Sequence, residues 1–269
     1  MDTQTAYPSD LTRAEWAQVC RVIPPPKKGG RPAKHARLEI VNALLDVART
    51  GCQGRALPHD FPPWATVYWS VRIWKADGTL DRLMDLLRGD LRQAHGRQRQ
   101  PSAAIIDSQS VKTTEKGGPG GFDAGKLVHG RKRHVLVDGL GLILAVVVHA
   151  ADIQDRDGAR LVLEPLRHRF LRLRVIVADA IDNGGIAEWV AGLRTRSRLR
   201  LEVKAKEPGA KTFQPIPFRW RVERTLAWLG RWRRLSKDYE ATTSSSEAFM
   251  KLAMIHLMAR RLPRVLRKT

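Results

Sequence analysis

Apolar residues over the first hundred positions recur three and four apart. Leu11, Trp16, Val19 and Val22 or Ile23 make one stripe, and Leu38, Val41, Leu44, Leu45 and Ala48 a second. Trp64, Val67, Tyr68, Val71 and Trp74 make a third, and Leu80, Leu83, Leu86, Leu87 and Leu91 a fourth. This spacing predicts helices over 11–23, 36–50, 64–76 and 79–94, and it assigns the aromatics of the third to the core. Thr12 with Glu15 three residues on has the spacing of a capping box, which opens the first helix. Pro24-Pro25-Pro26 stops that helix, and Gly51 ends the second. Short helices joined by tight turns suit a helix-turn-helix module, with 64–76 as its candidate recognition helix.

The pattern changes after the polar, basic linker Gly96 to Pro101. Ala103 to Ile106 is continuously apolar, as a central strand covered on both faces must be. Arg133 to Asp138 and Leu142 to Val148 flank Gly139-Leu140-Gly141, a hairpin signal. Helices are expected over 157–168, 186–193, 218–234 and 246–262, a strand over 175–178 and an edge strand over 199–203. The succession is strand, strand, strand, helix, strand, helix, strand, helix. That is the order of ribonuclease-H-like α/β folds, a mixed sheet flanked by helices. The expected organisation is therefore a small all-α helix-turn-helix-like DNA-binding domain over 1–98, then an RNase-H-like domain over 99–269.

Charge narrows the function. Among 269 residues there are 48 Lys and Arg against 27 Asp and Glu, a formal charge of +21, while the apolar content is an ordinary 43%. A folded chain that keeps such self-repulsion commonly binds a polyanion. Between Arg194 and Lys237 stand 14 basic residues and only three acidic ones, Glu202, Glu207 and Glu223. Cys20 and Cys52 have no Cys-x-x-Cys partner, so neither a zinc site nor a disulfide framework is signalled. No apolar run approaches the ~18 residues of a membrane span, and the N-terminus lacks a signal-peptide pattern. The expected location is the cytoplasm, with the nucleoid, and no membrane partner.

Three carboxylates carry the chemistry. Asp107 ends the apolar run 103–106, Asp179 ends Val175-Ile176-Val177-Ala178, and Glu223 sits on the helix pattern 218–234. Each alone has an ordinary structural use: Asp107 and Asp179 as turn caps, Glu223 as the partner of Arg219 one helical turn away. Together they match what phosphodiester cleavage needs, hard oxygen ligands for two divalent ions roughly 3.5–4 Å apart. Mg²⁺ is the expected ion, with Mn²⁺ able to substitute, because it prefers such ligands and completes its shell with water and phosphate oxygens. Asp107 is expected to bridge the ions, with Asp179 and Glu223 each binding one. Phosphate contacts are expected from the arm 27–34 through Lys27, Lys28, Arg31 and Lys34, and from Lys112, Arg131, Lys132, Arg133, Arg219 and Lys237. Trp220, Trp228 and Trp232 are assigned to the core, with base stacking as the alternative, and His134 to a structural role.

Longer stretches resemble a known family. Leu11 to Trp16, Gly29-Gly30-Arg31-Pro32, Thr50 to Gln53 and Arg55 to Pro58 match the N-terminal half of bacterial insertion-sequence transposases of the DDE superfamily, in the group named after insertion sequence five. Ile106 to Lys112 is similar to the first catalytic block of that group, Gly130 to His134 to its second and third strands, and Arg219, Glu223 and Arg234 to Glu240 to its C-terminal signature. The resemblance implies that Asp107, Asp179 and Glu223 are the catalytic triad. It also implies binding of the element's terminal inverted repeats and target DNA, Mg²⁺-dependent strand cleavage and strand transfer, and a homodimer or larger assembly on DNA. Where members follow the second aspartate with a variable residue, Gly and Tyr, this chain has Ala180-Ile181-Asp182. Gly54 stands where tryptophan is common, Ile216 at the signature's tyrosine position and Gly230 at its lysine position. These departures define the alternative, a catalytically inactive DNA-binding remnant or repressor of the same element.

Overall fold

A computed structural model gives the conformation of the chain and describes residues 7–25, 33–115, 118–179, 185–193, 199–204 and 218–267. Residues Met1–Arg99, Arg231–Ser236 and Ala248–Thr269 form one compact unit, and Gln100–Gly230 with Lys237–Glu247 form another. The first therefore takes in segments 231–236 and 248–269, which the sequence reading gave to the second domain.

The first unit is helical: α1 (Arg13–Val19), α2 (Arg37–Thr50), α3 (Trp64–Ala76), α4 (Thr79–Ala94) and most of α8 (Thr243–Leu266). The capping box is present, with Thr12 Oγ1 accepting from the Glu15 amide and Glu15 Oε2 from the Thr12 amide. Leu44, Leu45, Leu80, Leu83, Leu87 and Leu91 are buried, joined by Met250, Met254, Ile255 and Met258 of α8. Helix α8 buries residues around most of its circumference. Lys251 on it pairs with Asp81 on α4 at 2.7 Å. One expectation fails on α3. Val67 and Trp74 are buried, but Trp64 and Tyr68 stand 42% and 58% exposed, so these two aromatics are surface and not core, and Trp69, outside the stripe, is 57% exposed. Periodicity located the helix correctly; it did not say how wide a stripe the neighbours cover.

The second unit is built on a six-stranded mixed sheet among the described residues. Its strands are β1 (Ala103–Lys112), β2 (Gly121–Asp123), β3 (Val128–Asp138), β4 (Ile143–Ala150), β5 (Val175–Asp179) and β6 (Arg200–Lys204). The order is β2-β3-β1-β5-β6, with β4 also paired to β3. β3 lies antiparallel to β1, β2 and β4, whereas β1, β5 and β6 run parallel. β6 is an edge strand, as its alternating pattern predicts. Helices α5 (Asp155–Leu163), α6 (Ile186–Gly192) and α7 (Arg219–Leu229) flank the sheet in an RNase-H-like arrangement. One face meets α5 and α6 through Ile106, Leu136, Ile176, Val162, Leu163 and Val190. Helix α7 lies on the other face.

Several elements differ in length from expectation, two of them at the carboxylate positions. β1 continues to Lys112, so Asp107 lies within a strand and not at its end, at the point where pairing with β5 stops. The helix expected over 218–234 stops at Leu229 and a 3-10 turn follows at Arg233–Leu235. That turn packs on the C-terminus of α2 at Gly51, which is left-handed at φ +76° with Arg233 and Arg234 atoms 3.2 Å from where a Cβ would stand. Gly51→Ala should therefore cost about 1–2 kcal/mol from backbone conformation alone, read as a lower urea midpoint at unchanged slope.

Candidate active site

The carboxylate positions follow from the pleat. β1 pairs with β5 as Ala103↔Val175 through Ile106↔Ala178. Side chains alternate along a strand, so positions 105, 107, 177 and 179 share one face, and 104, 106, 176 and 178 share the other. Val135, opposite Asp107 on β3, joins the first face. Asp107 is half-buried, and its Oδ1 accepts the Ser108 amide at 2.7 Å. The side chain of Asp179 lies outside the described residues; its backbone pairs with Lys204 at the end of β5.

Helix α7 crosses this face against β1, β3 and β5. Val222, Thr225 and Leu229 are its buried positions, and Glu223 is exposed beside them. The helix is tied to the β3–β4 turn at two places. Thr225 Oγ1 lies 2.7 Å from the Gly141 carbonyl oxygen, and Arg224 Nη2 donates to Leu140 O at 3.1 Å. Gly141 is at φ +81°, and a Cβ there would stand 2.7 Å from Thr225 Oγ1 and 3.3 Å from Trp228, so turn and helix meet only because the side chain is absent. Positions 107 and 179 thus share a sheet face, and the helix that carries Glu223 contacts the same strands. Oxygen donors of this kind fit Mg²⁺ or Mn²⁺ and offer little to softer metals.

The basic residues divide. Lys112 and Lys237 are exposed in the second unit. Lys34 is exposed in the first, on a cavity of about 510 Å³ that His35, Arg37 and Trp69 also line. Lys27, Lys28 and Arg31 lie outside the described residues, as does the side chain of Arg219.

Arg131, Lys132 and Arg133 need a correction, because all three are buried and none presents its charge at the surface as a phosphate contact requires. Arg131 has no exposed surface; its Nη1 pairs with Asp238 Oδ1 at 3.1 Å and donates to Glu240 O, while Nε donates to Pro119 O and Nη2 to Ala241 O. Arg133 Nη2 donates to Lys237 O at 3.0 Å, and burial lowers its pKa to about 10 against the opposing pull of Asp238. Both arginines project from β3 on the carboxylate face and pin segment 237–241 beside β1, where the Asp238 amide donates to Lys112 O at 2.8 Å.

Lys132 points to the opposite face, into a polar group that sequence reasoning missed. Its Nζ lies 3.0 Å from Asp155 Oδ1 and 3.4 Å from Asp123 Oδ2, and it donates to Ile153 O. Burial works to raise the Asp123 carboxyl, but bonds from Ser110 and the Lys126 amide, with the Lys132 charge, hold it at about 2. His134 Nδ1 lies 2.8 Å from His149 Nε2, and burial, then His149, keeps His134 neutral with a pKa lowered to about 3. His134 is structural, as expected. The β1–β3 register brings this cluster together, pairing Ser108 with His134 and Ser110 with Lys132. Trp232 is buried, Trp228 half-buried and Trp220 47% exposed, so the expectation of three core tryptophans holds fully for the first alone.

Comparisons with known proteins point one way. The family model described as "Transposase DDE domain" matches residues 98–258. The model described as "Putative transposase of IS4/5 family" matches residues 11–84. Two relatives come from Burkholderia cepacia. The chain is 30% identical over 165 residues to the "Putative transposase for insertion sequence element IS402", spanning 55% of this chain and 70% of the relative. It is 33% identical over 109 residues to the "Insertion element IS402 uncharacterized 16.2 kDa protein", spanning 38% of this chain and 72% of the relative.

The buried ion pair and the buried imidazoles each give an expected outcome. Asp238→Asn should cost about 3–5 kcal/mol by leaving Arg131 buried without its counter-charge, and the double change Arg131→Met with Asp238→Leu should recover most of it in urea unfolding. His134 and His256 both have pKa values lowered to about 3 from the usual 6.5, His256 by burial and then by Arg260 and Arg49. Between those values the unfolded chain takes up protons that the native chain refuses, so stability is lost as pH falls below 6.5. Calorimetric Tm should decline steadily from neutral to about pH 5, and less steeply in His256→Gln.

Proposed function

The chain belongs to the transposase DDE-domain family of insertion sequences, and from that premise we propose that it binds the terminal inverted repeats of its own element, cleaves DNA there and transfers the freed strand to target DNA. The observation that carries the reading is the shared sheet face of positions 107 and 179, with helix α7 and Glu223 docked across it. Members of this family act on DNA and their DDE domains generally use divalent metal ions. In this chain Asp107, Asp179 and Glu223 would hold Mg²⁺, or Mn²⁺ in its place. Such ions supply Lewis acidity to both the attacking and the leaving oxygen of an in-line displacement. The protein's own part is to fix three carboxylates on rigid elements and to hold the phosphodiester beside them. Lys112 and Lys237, both exposed next to the Arg131-pinned segment, are the phosphate contacts we assign there.

The helical first unit, with the arm 27–34 and Lys34, is assigned to end recognition. Pairing two element ends calls for a homodimer or larger assembly on DNA. Among the described residues no helix is long and apolar enough to cross a membrane.

The test uses a labelled duplex carrying the end of the encoding element, with Mg²⁺, Mn²⁺ or chelator. Cleavage should require metal and should fall at least about a hundredfold in Asp107→Asn and in Glu223→Gln, while end binding stays within a few fold and weakens steeply with salt. Tight end binding without cleavage in either metal would instead select the inactive remnant or repressor, the reading that Ala180-Ile181-Asp182 motivates.

A further inference from the structure

Behind the carboxylate face, strand β1 is braced by a chain of polar side chains. Ser108 and Ser110 project to the side opposite Asp107. Ser108 Oγ donates to Asp155 Oδ1 at 3.1 Å, and Lys126 Nζ donates to Ser108 O at 2.9 Å and lies 3.1 Å from its hydroxyl. Lys132 Nζ lies 3.0 Å from the same Asp155 oxygen and donates to Ile153 O, just before α5. Ser110 donates to Asp123, whose carboxylate also takes the Gly125 and Lys126 amides.

Asp155 has an ordinary use in the first turn of α5, where the helix dipole favours a carboxylate. The dipole accounts for its charge but not for its direction. Ser108 from β1 and Lys132 from β3 converge on one oxygen, Oδ1, with His134 Nε2 3.8 Å from it. The helix cannot drift away from them, because Ala159, Val162 and Leu163 are buried in the core.

Ser108 links this brace to the other face. Its hydroxyl bonds Asp155, and its amide donates to Asp107 Oδ1 at 2.7 Å. Neighbouring Cα atoms stand only ~3.8 Å apart, so a rotation of the strand about its axis at 107–108 moves serine and carboxylate together. Support is needed at this point. β1 pairs with β5 only as far as Ile106, and from Asp107 onward β3 is its one paired neighbour among the described strands. Groups that orient a ligating carboxylate bear on metal affinity nearly as much as the carboxylate does.

We propose that Asp155, acting through Ser108, is a positioning residue for the carboxylate site: it fixes the rotation of β1 at which Asp107 presents its carboxylate to a divalent ion. The inference rests on the metal-dependent nuclease reading given under Proposed function and adds two residues that do not touch the ion. Asp155 anchors, Ser108 transmits, and Lys126 and Lys132 hold the pair in place. A carboxylate on α5 thereby bears on chemistry at the far side of the sheet.

The test reads metal binding without DNA. Mn²⁺ is titrated into the full chain and the unbound ion followed by electron paramagnetic resonance, with urea unfolding of every variant alongside. The wild type should show a site that Asp107→Asn removes. Ser108→Ala and Asp155→Asn should weaken it roughly tenfold or more, and Ser108→Thr, which keeps the hydroxyl, should restore most of the affinity. Ser110→Ala takes a hydroxyl from the same face of the same strand and should leave Mn²⁺ affinity unchanged, whatever its urea midpoint. On the labelled element end, Ser108→Ala should need a correspondingly higher Mg²⁺ concentration for cleavage, with end binding unaltered. An unchanged Mn²⁺ affinity or Mg²⁺ requirement in Ser108→Ala and Asp155→Asn, or an equal loss in Ser110→Ala, would overturn the positioning role while leaving the nuclease reading intact. A wild type with neither an Asp107-dependent Mn²⁺ site nor metal-dependent cleavage would overturn both.

Discussion

Strand β1 is clamped between β3 on one side and β5 on the other, and its pleat decides which chemistry lies on which face. Asp107 shares a face with Val135, Arg133 and Arg131, whereas Ser108 and Ser110 share the opposite face with His134 and Lys132. A slip of one residue would exchange the two sets, turning Asp107 toward α5 and α6 and the two serines toward α7. The register is held against that slip because Ile106, Ile176 and Leu136 must all lie in the apolar core on the α5 and α6 side. Hydrophobic burial on one face thereby sets the position of the carboxylates on the other.

Charge inside the second unit is handled by pairing. Arg131, Asp238, Lys132 and Asp123 are buried, and each has an opposite charge within reach. Buried pairs add little net stability compared with apolar side chains of the same volume, but they are exacting about geometry. Here that geometry is used twice. On the carboxylate face Arg131 and Arg133 fasten 237–241 beside β1, and on the other face Lys132 draws together the N-terminus of α5 and the β2–β3 turn. Three cations that sequence alone offers as surface charge are therefore part of the frame that carries the site.

Helix α7 docks on the sheet by a narrow stripe, with Val222, Thr225 and Leu229 buried among its described side chains. A contact between Thr225 and the glycine turn holds it against the sheet, with Glu223 exposed next to that stripe. Arginines stacked on tryptophans occupy the adjoining surface. The exposed aromatics of α3 form a comparable surface in the first unit, with Arg55 over Trp64 and Arg72 over Trp69.

What the sequence by itself determined was local. Helix periods placed α3 and α4 at their observed limits, Thr12 and Glu15 capped α1, and apolar runs located β1 and β5 with an aspartate after each. The three candidate carboxylates were legible because strand and helix patterns differ in period and an acidic residue among many basic ones stands out. The short β2, the full length of β1 and the break after Leu229 were not, since each depends on a neighbour: β3 for the first two and the α2 terminus for the third. Only the tertiary structure decided that Arg131, Lys132 and Arg133 are buried and Trp220, Tyr68 and Trp69 exposed. A residue's period fixes its direction from its own element, but its burial is fixed by what another part of the chain places in that direction.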